Sequence, residues 1–325
     1  MNVKSRARIG AALGVAALGL GVALAPAAQA DPSPVTQYRT LAGVGSDTTQ
    51  DVLNGLGNVV TNAFGQKIIA SWNATGTATV KTKATGCVIN RPNGSSAGID
   101  ALRNAVDTNS GCLDFARSSR GPADTATSTD LTWIPFAKDA VSWVKRSDST
   151  LPSDLTAAQL KDIYECNLTS LNGVALTPIL PQANSGTRQF FLSSIGVSAL
   201  GACVQEGVQE NDGTVLDSAG DIAPYSVAQY TAQEKLVVTD RRGAAVLGSV
   251  GTVAPRNADK TLNLSFPFTR DVYNVVPTPK LTNATIASTF VGSTSKVCAA
   301  GTTIANYGFG TLGANCGTTT LKGER

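Results

Sequence analysis

One short run of small and hydroxyl-bearing residues carries the clearest chemistry in this sequence. It reads Asn184-Ser185-Gly186-Thr187-Arg188 and continues into apolar residues that are compatible with a helix. Ser185 can cap that helix, Gly186 lets a ligand approach the main chain, and Thr187 adds a hydroxyl donor beside the first-turn amides. Because unpaired N–H groups and the positive end of the helix dipole converge there, such a start can bind an anion. A plain helix cap is the alternative, since Ser and Thr are preferred at caps.

Two similar hydroxyl-rich turns lie upstream of this run. The first, residues 45–49, reads Gly-Ser-Asp-Thr-Thr, and the second, residues 93–98, reads Asn-Gly-Ser-Ser-Ala-Gly. Each comes before a helical pattern. A further polar segment, residues 117–122, follows a short apolar run. Because ligands of open α/β sheets bind beyond the carboxyl ends of strands, turns at these places favour an anion site over an isolated cap.

The elements that must position these turns alternate along the chain. Residues 37–44 are predicted to be extended, residues 51–69 helical, residues 71–83 extended and residues 99–106 helical. Strands are predicted at residues 113–116 and 134–145, and Thr156 can cap an amphipathic helix over residues 155–164. Strand–turn–helix units in series favour an α/β fold with mostly parallel sheets.

The first thirty residues have the pattern of a cleavable signal peptide rather than of a fold. Lys4, Arg6 and Arg8 precede the apolar residues 9–24, and residues 28–30 (Ala-Gln-Ala) form a small-residue cleavage site. No cysteine lies at the cleavage point, so we expect no lipid anchor. The apolar run is short for a membrane span, and nothing later replaces it. We therefore expect a secreted, extracellular protein whose mature chain has no transmembrane segment.

The charge of the mature chain argues against a nucleic-acid partner. The sequence of 325 residues has 26 basic and 23 acidic residues, but three of the basic residues belong to the signal segment. The remainder therefore carries 23 residues of each sign, and a nucleic-acid ligand lacks electrostatic support. Its length of about 295 residues lies near the upper limit for one hydrophobic core, so two lobes are expected.

Six cysteines and the absence of histidine constrain the chemistry further. Outside the cell, an even number of cysteines favours disulfides. Among the possible connectivities we favour nearest neighbours, because each pair then falls within one lobe: Cys87–Cys112, Cys166–Cys203 and Cys298–Cys316. Free buried cysteines are the alternative. Without histidine or a CxxC spacing, no zinc or other metal site is indicated, and a Ser-His-Asp triad and a Cys-His pair are excluded.

Several short motifs follow one another in an order that points to a known family. Ser185-Gly186-Thr187 is similar to a Ser-Gly-Thr phosphate loop, and residues 94–98 are similar to a Gly-Ser-Ser-Gly-Gly turn. The other matching segments are residues 41–46, 113–122, 134–144, 155–164, 266–273 and 306–309. Together these motifs, which span about residues 41–312, resemble those of the phosphate ABC transporter substrate-binding proteins of the periplasmic type.

The resemblance implies a two-lobed α/β fold of the periplasmic-binding-protein type (type II), in which hinge strands join lobes that close on a buried oxyanion. We expect the first lobe to comprise residues 31–137 and 262–325, and the second residues 138–261. Carried over by motif, the ligand contacts come from the hydroxyl-rich turns of both lobes: Ser46, Asp47, Thr48 and Ser95 in the first, and Ser185, Gly186 and Thr187 in the second.

Two positions depart from the family pattern. The family's ligand-accepting aspartate falls at Arg120, and its arginine ahead of Ser-Gly-Thr falls at Pro181. Arg120 and Arg188 are therefore expected to neutralise the anion through bidentate contacts, with a surface position as the alternative for each. With a cation at residue 120, affinity is expected to rise as the pH passes through the second ionisation of phosphate, at roughly pH 6–7.

The function expected from the sequence is hinge-closing capture of a tetrahedral oxyanion, phosphate above all, without catalysis and without a cofactor. An ABC permease is the expected protein partner, and a monomer is the expected state. A phosphate-ester hydrolase on the same scaffold is one alternative. It would need Ser46, Ser95 or Ser185 as a nucleophile beside a base. A surface or matrix protein with a repurposed pocket is the other.

Overall fold

The computed structural model describes residues 31–32 and 37–325, and the signal peptide expected at residues 1–30 lies outside this part of the chain. Its strands are, in chain order, β1 (Leu41–Gly45), β2 (Ile69–Ser71), β3 (Thr79–Lys81), β4 (Val88–Asn90), β5 (Phe115–Ser118), β6 (Leu131–Arg146), β7 (Asp154–Leu155), β8 (Ser170–Leu171), β9 (Val174–Ala175), β10 (Thr177–Pro181), β11 (Gln205–Val208), β12 (Asp221–Ser226), β13 (Ala245–Leu247), β14 (Ser249–Val250), β15 (Thr269–Pro277) and β16 (Lys322–Gly323).

The helices alternate with these strands, as the sequence pattern predicts. They are α1 (Gln50–Val59), α2 (Ser95–Asp107), α3 (Ala157–Tyr164), α4 (Gly186–Ile195), α5 (Val227–Glu234), α6 (Ala284–Phe290), α7 (Lys296–Ala299) and α8 (Gly301–Asn306). The start of α3 is a capping box, in which Thr156 Oγ1 accepts from the N–H of Gln159 (3.1 Å) and Gln159 Oε1 accepts from the N–H of Thr156 (2.9 Å).

The first helix is shorter than the pattern predicts, because a local turn interrupts it. Helix α1 ends at Val59, and Val60 adopts an extended backbone. Asn62 Oδ1 then accepts from the N–H groups of Phe64 (2.9 Å) and Gln66 (3.0 Å), which offers the backbone an alternative to further helix. The chain reverses here, so that β2 pairs in parallel with β1.

One large sheet joins most of these strands, and it is mixed. Its order is β11-β10-β12-β6-β15-β5-β1-β2, with β13 and β16 also paired to β6. The outer strands are parallel: β1 pairs with β2 and β5, and β10 pairs with β11 and β12. In the centre, β6 and β15 run antiparallel to each other and to their other neighbours, β12 and β5. The expectation of mostly parallel sheets is therefore wrong for the central strands. These strands are antiparallel neighbours, whereas a parallel pair needs a crossover connection such as a helix.

Four apolar clusters pack against this sheet, two in each of two lobes. Lobe 1 contains β1, β2, β5, α1, α2 and α6–α8, and its core includes Leu53 and Phe115. Lobe 2 contains β10–β12 and α3–α5, and its core includes Tyr164 and Phe191. Strand β6 supplies both cores, from Phe136 in lobe 1 to Trp143 in lobe 2. The long strands β6 and β15 therefore connect the lobes, which confirms the two-lobed α/β fold expected from the sequence.

The lobe boundaries can be located by which core each residue enters. Along β6, Ala137 packs in the core of lobe 1 and Ala140 in that of lobe 2. On the return, Leu262 and Phe268 still pack in lobe 2, and Val272 packs in lobe 1. The chain thus passes from the core of lobe 2 to the core of lobe 1 within β15.

The six cysteines form the three nearest-neighbour pairs expected from the sequence. They join Cys87 to Cys112, Cys166 to Cys203 and Cys298 to Cys316, across sequence separations of 25, 37 and 18 residues. No helix among the described residues is long and apolar enough to cross a membrane.

We predict that the folded protein has no titratable thiol until it is reduced. In the chain-entropy description, each of these loops contributes about 3–4 kcal/mol to the free energy of unfolding, because the cross-link restricts the unfolded chain. Thiol titration of the denatured, unreduced protein checks the pairing, and urea unfolding with and without reductant checks the contribution. Two or more free thiols before reduction would contradict the assignment.

Candidate functional site

Hydroxyl-rich turns from the two lobes meet in a buried contact between them. We call this contact the interlobe cluster; its members are Ser46, Asp47, Thr48, Ser95, Ser119, Ser185, Gly186, Thr187, Glu210, Asn211 and Arg270. Every polar side chain in it is at most 4% exposed. Thr48 Oγ1 of lobe 1 lies 2.9 Å from Thr187 Oγ1 of lobe 2, so the turns at the starts of α1 and α4 touch directly.

The lobe 2 side of the cluster is the start of α4. Ser185 is its N-cap, and Ser185 Oγ accepts from the N–H of Arg188 at 3.0 Å. The N–H groups of Gly186 and Thr187 belong to the first turn, where a helix offers its amides no partner of its own. The cap and the anion interpretations of this motif are therefore compatible, because the Ser185 hydroxyl caps the helix whereas the Thr187 hydroxyl contacts lobe 1.

Gly186 packs so close to lobe 1 that a residue with a side chain would collide with it. A Cβ atom placed there would lie 2.4 Å from Ser95 Oγ and 2.5 Å from Ser119 Oγ. Ser95 is at the start of α2, and Ser119 directly follows β5. These two hydroxyls are 3.2 Å apart, and Ser95 Oγ also accepts from the N–H of Ser119 at 3.0 Å. Ser119 was not among the residues expected from the sequence, although it lies within the polar segment after β5.

The positive charge of the cluster comes from Arg270, a residue to which the sequence analysis gave no role. Arg270 on β15 is the cross-strand partner of Asp139 on β6, and its Nε and Nη2 donate to Asp139 Oδ2 at 3.1 and 2.8 Å. Nη2 also donates to Thr187 Oγ1 at 3.0 Å, and the guanidinium lies 5.5 Å from the ring of Phe190. Nη1 is buried and has no partner among the described residues. A cation with an unused donor therefore faces the start of α4.

Asp139 holds this arginine in place through a network of its own. Its carboxylate accepts from Ser226 Oγ at 2.9 and 3.0 Å and from the N–H of Ala228 at 3.1 Å. Ser226 is the N-cap of α5. The buried ion pair is thus tied to two strands and a helix start, so the position of the guanidinium is fixed before any ligand arrives.

The two arginines expected to replace the family's ligand groups have other partners. Arg120 donates through Nε and Nη2 to Ser96 Oγ (3.3 and 3.0 Å) and through Nη1 to the carbonyl of Gly121 (2.8 Å). Arg188 donates to the carbonyl of Pro181 (3.0 Å) and forms an ion pair with Glu206. Neither guanidinium donates to a hydroxyl of the interlobe cluster, although the main-chain N–H of Arg188 donates to Ser185 Oγ. Arg120 does lie at the lobe boundary, because Gln189 of lobe 2 donates to the same Ser96 hydroxyl at 2.9 Å.

Buried carboxyl groups lie beside these donors. Asp47 accepts from Asn211 Nδ2 (2.9 Å) and Gln209 Nε2 (3.1 Å), both of lobe 2, and burial raises its pKa. Glu210 accepts from the hydroxyl of Ser185 through Oε2, and its Oε1 has no partner among the described residues. Burial, and then the charge of Asp47, raise the pKa of Glu210 to about 7.

Amide side chains extend the contact between the lobes. Asn93 of lobe 1 donates to Gln209 Oε1 (2.9 Å) and accepts from Gln182 Nε2 (2.8 Å), both of lobe 2. The N–H of Ser96 donates to the carbonyl of Asn184 at 3.2 Å. These amide side chains lie outside recognisable motifs. Gln182 is also far in the sequence from Gln209 and Asn211, so only the fold reveals the three residues as one surface.

We predict that Thr187→Val weakens oxyanion binding and leaves the fold largely intact. Valine keeps the β-branched shape but removes a hydroxyl that lies between Arg270 and Thr48, which should cost about 1.5–3 kcal/mol of binding to a charged ligand. Calorimetric titration measures the loss. Ser185→Ala is the matched cap variant, and it should lower the melting temperature through a loss of about 1 kcal/mol. Unchanged affinity in Thr187→Val would show that the motif is only a cap.

Known proteins share both the sequence pattern and the fold. The PBP superfamily domain matches residues 36–292 of this chain. No curated protein matches the sequence.

Solved structures extend the similarity to the arrangement of the lobes. The fold is similar to an ABC-type phosphate transport receptor from Vibrio cholerae, with 17% identity and a TM-score of 0.57 over 84% of this chain and 100% of that one. It is also similar to a candidate phosphate ABC transporter substrate-binding protein with bound phosphate from Clostridium perfringens, with 18% identity and a TM-score of 0.55 over 84% of this chain and 99% of that one. With a family pattern over most of its length and two lobes joined by shared long strands, this chain belongs to the PBP (periplasmic-binding-protein) superfamily.

Proposed function

We propose that this protein binds a tetrahedral oxyanion, phosphate above all, in the interlobe cluster. The observation that carries the proposal is the buried Arg270 with its unused Nη1 beside the start of α4. A guanidinium, first-turn amides and several hydroxyls then converge from both lobes. Charge-assisted bonds from such a set suit a compact anion with several equivalent oxygens.

Closure of the lobes is the proposed mode of binding, and it involves no chemical turnover. Thr48 and Thr187 touch in this closed arrangement, so the lobes must open to admit an anion between the turns and then close on it. The strands β6 and β15 pass between the lobes and provide the hinge. The similar structures from V. cholerae and C. perfringens are phosphate receptors by description, which supports phosphate as the ligand and an ABC permease as the partner.

Three disulfides fit an extracellular location, as expected for a secreted protein of this class. We propose that the expected signal peptide directs export and that the mature chain acts as a monomer.

A phosphate-ester hydrolase is less well supported. Ser185 Oγ contacts the carboxyl group of Glu210, but the same oxygen already accepts from the N–H of Arg188 as a helix cap.

Titration calorimetry of the purified protein with inorganic phosphate, arsenate and sulfate tests the proposal. We expect one phosphate per chain and weaker binding of sulfate. The absence of heat with all three anions, for protein shown by circular dichroism to be folded, would overturn it. Release of p-nitrophenol from p-nitrophenyl phosphate, lost in Ser185→Ala, would instead favour the hydrolase.

A further inference from the structure

The interlobe cluster holds more acidic groups than an anion site should tolerate. Asp47 and Glu210 belong to it and Asp51 lies at its edge, and the charge of Asp47 acts on both of the others. Asp139 is a fourth carboxylate, but it is matched by Arg270. The cations facing this group are Arg117, Arg241 and Arg270. At least one carboxyl group must therefore lose its charge, or be displaced, before an anion can be buried here.

The hydrogen-bond donors around each carboxyl group indicate which one loses its charge. Asp47 accepts one amide bond at each oxygen, from Asn211 and Gln209. It also lies near Arg117, whose guanidinium donates to carbonyl oxygens of Gly45, Ser46 and Trp72 and to Ser71 Oγ rather than to a carboxylate. Both oxygens of Asp47 therefore already have donors, so no proton is needed to satisfy either oxygen, even though burial raises the pKa of this group.

Asp51 also has a donor, at the edge of the cluster. Gln229 Nε2 donates to Asp51 Oδ2 at 3.2 Å, and the same amide donates to the carbonyl of Thr48 at 2.8 Å. Burial and the charge of Asp47 raise the pKa of Asp51 to about 6, so this group is largely ionised at neutral pH.

Glu210 differs from both of these groups. It follows β11, it is 1% exposed, and its Oε1 is buried with no partner in the part of the chain that the structure describes. Its other oxygen contacts Ser185, the residue that caps α4, so the carboxyl group lies next to the first-turn donors and near Arg270. An ionised Glu210 would turn bare lone pairs toward an anion, whereas a protonated Glu210 would offer it an O–H donor.

We propose that oxyanion binding by this protein is coupled to the uptake of a proton by Glu210. The inference rests on the proposed function and adds to it that the anion and a proton enter the site together. The proton removes one negative charge from the cluster and turns an unpartnered acceptor into a donor. No other reactant is needed, because the proton comes from solvent.

The sign of the pH dependence follows from linkage. Because burial and Asp47 already raise the pKa of Glu210 to about 7, the carboxyl group is partly protonated near neutral pH without a ligand. A bound anion favours the protonated form further, so its pKa in the complex is higher still. Affinity should therefore be greatest below pH 7 and should fall as pH rises above it, by up to about tenfold per pH unit. A cation-dominated site at Arg120 would give the opposite trend.

Glu210→Gln separates this effect from the ionisation of phosphate itself. Glutamine keeps the shape and the acceptor for Ser185 but cannot titrate. Calorimetry with inorganic phosphate in Tris and in HEPES, at about pH 7 and about pH 8.5, gives both Kd and the number of protons taken up. We expect the wild type to take up close to one more proton than the variant at the higher pH. Its Kd relative to the variant should also rise about tenfold over this interval.

Glu206→Gln is the matched control, since Glu206 lies on β11 just before Glu210, is 49% exposed and pairs with Arg188 outside the cluster. It should show the wild-type pH profile. Identical proton uptake and pH profiles in the wild type and Glu210→Gln, with phosphate still bound, would overturn the proposal and leave the proposed function standing. Absence of phosphate binding by the wild type at either pH would overturn the proposed function itself.

A second measurement needs no variant. On addition of phosphate, the infrared difference spectrum of the wild type should gain the C=O band of a protonated carboxyl group and lose carboxylate intensity. A spectrum with bound-phosphate bands but no gain in the carboxylic-acid region at about pH 8.5 would also overturn the proposal.

Discussion

Replacing Arg270 with methionine should abolish measurable phosphate binding and lower the free energy of unfolding by about 3–5 kcal/mol. Binding is lost because Arg270 is the buried cation whose Nη2 donates to Thr187 at the start of α4 and whose Nη1 has no partner among the described residues. Stability is lost because Asp139, which has no exposure to solvent, would be left in the core without its cationic partner. Titration calorimetry and urea unfolding measure the two losses separately.

A second substitution should separate the two effects. In Arg270→Met with Asp139→Asn, the uncompensated charge is removed, and most of the lost stability should return while phosphate binding stays absent. Arg188→Met is the control arginine, because Arg188 pairs with the exposed Glu206 outside the interlobe cluster, and we expect its effect on stability to be below about 1 kcal/mol. Phosphate affinity within twofold of wild type in Arg270→Met would exclude this arginine from the site.

Replacing Gly186 with alanine should weaken phosphate binding by at least about tenfold, or 1.4 kcal/mol, with little loss of helix stability. The added methyl group would lie 2.4 Å from Ser95 Oγ and 2.5 Å from Ser119 Oγ. These hydroxyls cannot turn away freely, since Ser95 Oγ also accepts from the N–H of Ser119. The lobes must then stay further apart, whereas alanine in the first turn of α4 is otherwise a good helix former.

Gly121→Ala is the matched control for this variant. Gly121 lies beside Arg120, and a Cβ atom there would meet nothing within 4 Å. Its phosphate affinity should equal that of the wild type. Small-angle scattering with saturating phosphate should show a larger radius of gyration for Gly186→Ala than for Gly121→Ala. Equal affinity and equal compactness of the two variants would mean that lobe closure does not depend on this contact.

The parts of the site that the sequence predicted are those encoded by neighbours in the chain. Ser185 and Thr156 were recognised as helix caps, because a hydroxyl before an amphipathic segment is a local signal. The hydroxyls of Thr48 and Ser95 were found in the same way, as polar turns before helical patterns. Nearest-neighbour disulfides likewise needed only the assumption that each lobe closes its own loops.

The charged residues of the candidate site could not be predicted, because they depend on contacts between segments that are distant in the sequence. Arg270 and Asp139 are 131 residues apart and meet only because β15 returns antiparallel along β6, a pairing that the expected parallel sheet did not contain. Glu210 follows a short strand whose residues are mostly exposed, and nothing in its sequence neighbours marks it as buried. The charge of the site was therefore assigned to Arg120 and Arg188, the arginines nearest to the recognised motifs.

The two strands that cross between the lobes also set how the molecule loses its structure. Strand β6 places Phe136 in one core and Trp143 in the other, and β15 is paired along much of its length. If one lobe unfolds and β6 and β15 separate, the other lobe also loses backbone hydrogen bonds to these strands. Although the chain has two cores, it should behave as one cooperative unit, with a single melting transition and with the slowest amide exchange along β6 and β15. Proteolytic cuts between the lobes would then yield fragments that do not fold alone.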